Sequence, residues 1–153
     1  MKTFLITILF LTIFTNCSSN NAFSHFDMND KQAKSEDSLQ SSKIFDKDSN
    51  SGIVSAIYLN HVLPQKYNDK EYFYIYLYIK DNLKEVSFFL NDEEAYDVTS
   101  LKSKNDFSYL TSFQGDWQQY YLVEFEKQNQ EVLNLQINAS QSHSREMIFK
   151  KED

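Results

Sequence analysis

Residues 71–80 read Glu-Tyr-Phe-Tyr-Ile-Tyr-Leu-Tyr-Ile-Lys, so that Phe73, Ile75, Leu77 and Ile79 alternate strictly with Tyr72, Tyr74, Tyr76 and Tyr78. A period of two places successive side chains on opposite faces of an extended chain, one face aliphatic and aromatic, the other a ladder of phenols. Aromatic and β-branched residues pack well on a pleated surface and lose χ1 freedom in a helix, so the stretch is a strand, and a central one. A strand this apolar needs pairing partners and a core, and the remaining sequence has to supply them.

The chain has 153 residues, room for one domain. Its 13 Phe and 10 Tyr can bury a large area for the length, while 2 Gly and 1 Pro leave the turns to other residues. Asn and Asp are the candidates, because their short side chains bond the local backbone and tolerate left-handed conformations. Asn68-Asp69, Asp81-Asn82, Asn91-Asp92, Asn105-Asp106, Gly115-Asp116 and Gln128-Asn129 recur at intervals of 10 to 14 residues. Between them lie strand-like runs at 53–60, 72–79, 85–90, 95–98, 107–113, 119–126, 132–137 and 146–150. Short strands punctuated in this way predict an all-β, antiparallel domain over residues 52–153, a β-sandwich of about seven strands or, as the alternative, a small up-and-down β-barrel. Alternation assigns Ile53, Ile57 and Leu59, the four apolar residues of the tyrosine strand, Val86, Phe88, Leu90, Tyr121, Val123, Phe125, Leu133, Leu135 and Ile137 to the core. The links 80–82 and 128–130 are short enough to predict hairpins of 72–79 with 85–90 and of 119–126 with 132–137.

The amino-terminal end reads differently. Lys2 precedes an apolar run from Phe4 to Phe14, too short to span a bilayer and suited to the hydrophobic region of a signal peptide over residues 1–16. Thr15-Asn16-Cys17-Ser18-Ser19 follows, with the chain's single cysteine. In this arrangement residues 1–19 resemble bacterial lipoprotein precursors, and Phe14-Thr15-Asn16 is similar to the relaxed box of spirochaete-type lipoproteins. The resemblance implies that Cys17 is lipidated on sulfur and becomes the mature amino terminus, holding the protein in the bacterial envelope through the lipid membrane. Two or more acyl chains, at about 0.8 kcal/mol per buried methylene, give stable attachment. Residues 17–51, rich in Ser, Asn, Asp, Lys and Gln without a sustained period, are expected to form a disordered tether, with a short helix at 27–38 as the departure from it. Asp116-Trp117-Gln118-Gln119-Tyr120-Tyr121-Leu122 resembles the entry to the F strand of immunoglobulin-like domains. That resemblance implies that Tyr120 bonds back to the corner before it, that Leu122 enters the core, and that a sandwich is favoured over a barrel.

Net charge is −7, and −8 from Cys17 onward because Lys2 is the one charge before it. With a single arginine, Arg145, and no basic stripe, nucleic acid is not an expected partner. His25, His61 and His143 share no metal-ligand spacing and read as solvent-exposed, and no nucleophile elbow or phosphate loop is present. Asp92, Glu93, Glu94 and Asp97 are dense in carboxylates but lack the glycine bend of a calcium loop, so no metal and no cofactor is assigned. The expected function is therefore a non-catalytic binding module at the cell surface. A periplasm-facing accessory of an envelope complex and an enzyme are the alternatives. The candidate surface for a protein or glycan partner is Tyr72, Tyr74, Tyr76 and Tyr78, because tyrosine gives contact area at little entropic cost.

Overall fold

The computed structural model describes residues 30–47, 49–80 and 85–151. It is all-β and antiparallel, with ten strands in one continuous sheet that curls into a half-barrel. The two walls of the core are thus parts of one sheet, which brings the architecture nearer to the barrel alternative than to two stacked sheets. The elements are α1 (Asp30–Asp37), β1 (Leu39–Asp46), β2 (Ser49–Tyr58), α2 (Leu59–Val62), β3 (Glu71–Ile79), β4 (Val86–Leu90), β5 (Glu93–Glu94), β6 (Asp97–Leu101), a 3-10 turn (Ser108–Leu110), β7 (Gln119–Phe125), β8 (Val132–Ala139), β9 (Ser142–Ser144) and β10 (Met147–Lys150). Strand order is β5-β4-β8-β9-β1-β2-β3-β7-β6, with β10 also paired to β8.

The tyrosine strand is β3, flanked by β2 from Gly52↔Ile79 to Tyr58↔Phe73 and by β7 from Glu71↔Phe125 to Leu77↔Gln119. Its odd-numbered residues point into the curl. There Phe73, Ile75 and Leu77 join Val54, Ala56 and Tyr58 of β2, Val123 and Phe125 of β7, Leu133, Leu135 and Ile137 of β8, and Met147 and Phe149 of β10. Phe73 is the hub, with ring centroids 5.1 Å from Tyr58, 5.1 Å from Phe149 and 5.8 Å from Phe125. Phe88 of β4 meets Tyr121 of β7 at 5.2 Å, closing the interior from the opposite wall. The outward face of β8 carries Asn134 and Gln136 between buried Leu133, Leu135 and Ile137, the alternation of a strand wet on one side.

The turns rest on Asn, Asp, Lys and Ser rather than glycine. Asn91 (φ 49°) and Asp92 (φ 68°) join β4 to β5 in a two-residue hairpin, since Leu90 pairs with Glu93. Two successive positive φ values are the requirement of a type I′ turn, which matches the twist of the flanking strands and favours Asn and Asp. Lys47 (φ 52°) and Ser140 (φ 55°) serve the β1–β2 and β8–β9 connections.

Several expectations are corrected. The stretch expected to be a disordered tether through residue 51 is ordered from Asp30: α1 packs near α2, and β1 lies inside the sheet between β9 and β2. Ile44 of β1 is fully buried, and the Ser35 hydroxyl donates to the Leu110 carbonyl at 2.7 Å. The domain therefore begins well before residue 52. Neither predicted hairpin forms, because both edges of β3 are taken by β2 and β7, while β8 pairs with β4, β9 and β10. Residues 107–113 are a loop with one 3-10 turn instead of a strand, placing Phe107 and Leu110 as plugs. Ile53 is exposed, since β2 turns Val54, Ala56 and Tyr58 inward.

Gly52 marks where β2 and β3 approach most closely: a Cβ there would stand 2.3 Å from the Tyr78 carbonyl oxygen. Gly52→Ala is expected to cost about 1–3 kcal/mol through forced backbone displacement, read as a lower urea midpoint with an unchanged m value.

Candidate functional site

The phenol ladder is where the sequence placed a partner surface, and its middle is core. Tyr74 is 0% exposed and Tyr76 4%. Both belong to a second apolar cluster on the outer face of β2, β3 and β7, with Ile57, Leu59, Val62, Tyr67, Phe107, Leu110 and Tyr120. Tyr74 stacks on Phe107 at 5.1 Å and lies nearly parallel to Tyr120 at 6.3 Å, so the rings form a layered stack beneath α2 and the 3-10 turn. Their hydroxyls are satisfied inside it: Asn105 Nδ2 donates to Tyr74 Oη at 3.3 Å, and Thr111 Oγ1 donates to Tyr76 Oη at 3.3 Å. Burial pushes the Tyr74 phenol up to about 12. Tyr74 and Tyr76 are thus unavailable to a partner in this fold. Tyr72 is half-buried and donates to Asp69 at 2.9 Å; loss of solvation, then the Asp69 bond, pushes it up to about 12.

Tyr120, expected to bond back to the corner before its strand, does so. Its hydroxyl donates to Gln118 Oε1 at 2.7 Å and accepts from the Gly115 N–H at 2.9 Å. Leu122 packs partly buried against the outer cluster.

Of the four ladder tyrosines, Tyr78 is the one most open to solvent. Tyr78, 37% exposed, meets the edge of Trp117, 65% exposed, at 5.3 Å and 84°. Ile53 is its register partner on β2, so these three side chains are exposed together at one end of β3.

The opposite end of β3 holds a group that the sequence reading passed over. Glu71 opens the strand and is fully buried. Tyr58 Oη donates to its Oε2 at 2.5 Å, the Gln128 N–H donates to Oε1 at 3.1 Å, and Lys151 Nζ sits 2.5 Å from Oε1. Lys151 also donates to the Gln128 carbonyl, and Lys127 Nζ stands 3.8 Å from Oε1. Burial alone would raise the Glu71 carboxyl. The Lys151 ammonium, the Tyr58 hydroxyl and the Gln128 amide outweigh it and hold the carboxyl below its ordinary value. The same burial and the facing carboxylate push the Tyr58 phenol far above its usual range. The available signal was a lone carboxylate leading an otherwise apolar strand.

Over this network opens a cavity of about 420 Å³ whose walls include Lys34, His61, Asn68, Lys127 and Lys151. His61 is half-buried, within 2.6 Å of the Ser38 hydroxyl, whereas His143 is exposed on β9. Cys17 and His25 lie outside the described residues. Asp92 sits in the β4–β5 turn, and Glu93 accepts from Gln128 Nε2 at 2.8 Å. Among the described residues no group of three or more His, Cys, Asp or Glu is placed to hold a metal ion. No family model, curated protein or solved structure matches the chain.

Two outcomes follow from this geometry. Tyr74→Ser should cost about 3–5 kcal/mol, as for truncation of a packed core ring, whereas Trp117→Ser should stay near 0.5 kcal/mol, both read from denaturant unfolding. Glu71, held below its ordinary 4.5, stabilises the fold above that pH and loses its contribution as pH falls through its folded-state value. Wild-type stability should therefore decline below about pH 4.5, and Glu71→Gln should be less stable at pH 7 and lack that part of the decline.

Proposed function

We propose that the chain is an acylated lipoprotein of the bacterial envelope, anchored through Cys17, whose β-domain is a non-catalytic binding module with Tyr78, Trp117 and Ile53 at the centre of its partner surface. The observation that carries this reading is the cluster of exposed apolar side chains, Tyr78, Trp117 and Ile53, at one end of β3. The chain enters the domain along α1, whose Gln32 reaches Ser112 beside the cap and which leads through Ser38 to His61 near the Glu71 end of the sheet. The exposed aromatic pair stands at the other end, seven residues along β3, or about 23 Å at the rise of a strand. Thirteen residue steps separate Cys17 from Asp30, a span of at most about 45 Å. That span exceeds the distance between the two ends of β3, so an anchor at Cys17 leaves the aromatic end free to stand clear of the bilayer.

Tyrosine and tryptophan suit that role because each supplies a large apolar area and a polar atom for little entropy, and both recur among the residues that dominate binding energy. A second reading, a periplasm-facing accessory that docks on an envelope complex, is favoured by β6. Among the described residues that strand pairs with β7 on one side only and exposes Val98, so its other edge can accept a strand from a partner.

Growth with an alkyne-tagged palmitate analogue tests the anchor. The wild-type chain should carry the tag and Cys17→Ala should not; an untagged wild-type chain would remove the lipoprotein reading. Protease shaving of intact cells then separates surface display, in which the domain is lost, from a periplasm-facing position, in which it is protected.

A further inference from the structure

We propose that the cavity walled by Lys34, Lys127 and Lys151 binds a phosphoryl-bearing anion. In a chain of net charge −7, three ammonium groups converge there over one carboxylate, Glu71, a local surplus of two positive charges. That carboxylate is closed to a ligand. It is fully buried, with Oε2 taken by Tyr58 and Oε1 by the Gln128 amide and Lys151, so an entering anion meets the ammonium groups and not the carboxylate.

The lysines keep donors for such an anion. An ammonium has three N–H groups. Lys151 spends two, on Glu71 and on the Gln128 carbonyl, and is thereby fixed in place with one remaining. Lys127 donates to the Asn68 carbonyl at 3.0 Å and keeps others. Lys34 reaches the same cavity from α1, and a neighbouring cavity of about 400 Å³ that shares Lys34 and Pro64 adds Lys31 and Lys66 to the basic wall, with Asp106. Lysine ammonium groups bind phosphate as point charges, and a local surplus of positive charge matches the one to two negative charges a phosphoryl group carries near neutral pH. The single arginine, Arg145, lies elsewhere, over the Phe45 ring. The volume exceeds that of a bare phosphate and leaves room for the group that carries it. Such a ligand could be a soluble phosphorylated molecule or the phosphodiester of an anionic lipid. The site does not depend on the anchor.

Lysine-reactivity footprinting by mass spectrometry on the full-length chain tests this, first with inorganic phosphate titrated from micromolar to tens of millimolar against chloride at equal ionic strength. With phosphate at about three times Kd, mass action leaves about a quarter of the sites open, so labelling of Lys34, Lys127 and Lys151 should fall about fourfold. Lys47, exposed at the β1–β2 turn, should be unaffected. Lys34→Gln, a change at an exposed position, should raise the phosphate concentration that half-protects Lys127 by about tenfold. A second arm places the chain in phosphatidylcholine vesicles with and without phosphatidylglycerol. Protection by free phosphate that phosphatidylglycerol does not increase assigns a soluble phosphorylated ligand. Protection that requires phosphatidylglycerol assigns a lipid headgroup, with dependence on Lys34 expected in either case. The proposal is overturned by protection in neither arm, by equal protection of Lys47, or by a midpoint unmoved in Lys34→Gln.

Discussion

Burial of β3 on both faces is the constraint from which the rest of the domain follows. A strand with Phe73, Ile75 and Leu77 on one side and Tyr74 and Tyr76 on the other cannot leave either side wet, and one sheet covers only one side by curling. Curling meets the first demand, bringing β4, β8 and β10 over the odd-numbered residues. The second needs elements outside the sheet, and α2, the 3-10 turn and Tyr67 supply them. Tyrosine makes this outer layer possible, because each ring removes area from water while its hydroxyl is satisfied by Asn105, Thr111 or a main-chain group. The ladder is thus the floor of a second core, capped by the least regular part of the chain.

That irregularity explains what the sequence disclosed and what it withheld. Period-two alternation located β2, β3, β4, β7, β8 and β10 to within a few residues, since a half-buried strand leaves its register in the order of its side chains. The same alternation misassigned the ladder. Tyrosine is as compatible with solvent as with an interior, and the cap that decides between them lies in segments without periodicity. β1 was invisible for a related reason: Leu-Gln-Ser-Ser-Lys-Ile-Phe-Asp places three apolar residues in eight, and backbone pairing with β2 and β9 holds it. Partner choice was equally hidden. Short links at 80–82 and 128–130 looked like hairpin turns, yet β7 and β8 each find other neighbours and share the interior across the curl.

Glu71 shows a second limit of local reading. Its partners, Tyr58, Gln128 and Lys151, come from three distant parts of the chain, and no window of sequence contains more than one of them. A buried ion pair adds little stability over an apolar replacement, because desolvation offsets most of the attraction. What it imposes is exactness of assembly. The carboxylate is satisfied only when β2, β3, the β7–β8 link and the carboxy-terminal residues all arrive, so a packing that misplaces one leaves a charge stranded in the interior.

The two ends of β3 consequently differ in kind. At Glu71 the strand begins with a buried charge that pairs with Lys151 and faces Lys127, beside an opening that Lys34 of α1 also lines. Near its other end Tyr78 is left partly exposed, met by the edge of the chain's only tryptophan. Residues 102–118 pack Phe107 and Leu110 with Tyr74 and Tyr76, then return through Gly115 and meet Tyr78 with the edge of Trp117 before β7 begins at Gln119. Trp117 sits in that return, folded back over Gly115, where an added Cβ would stand 2.4 Å from the indole nitrogen. A side chain at that position would push the indole away from Gly115, so the glycine helps set where the exposed tryptophan stands beside Tyr78.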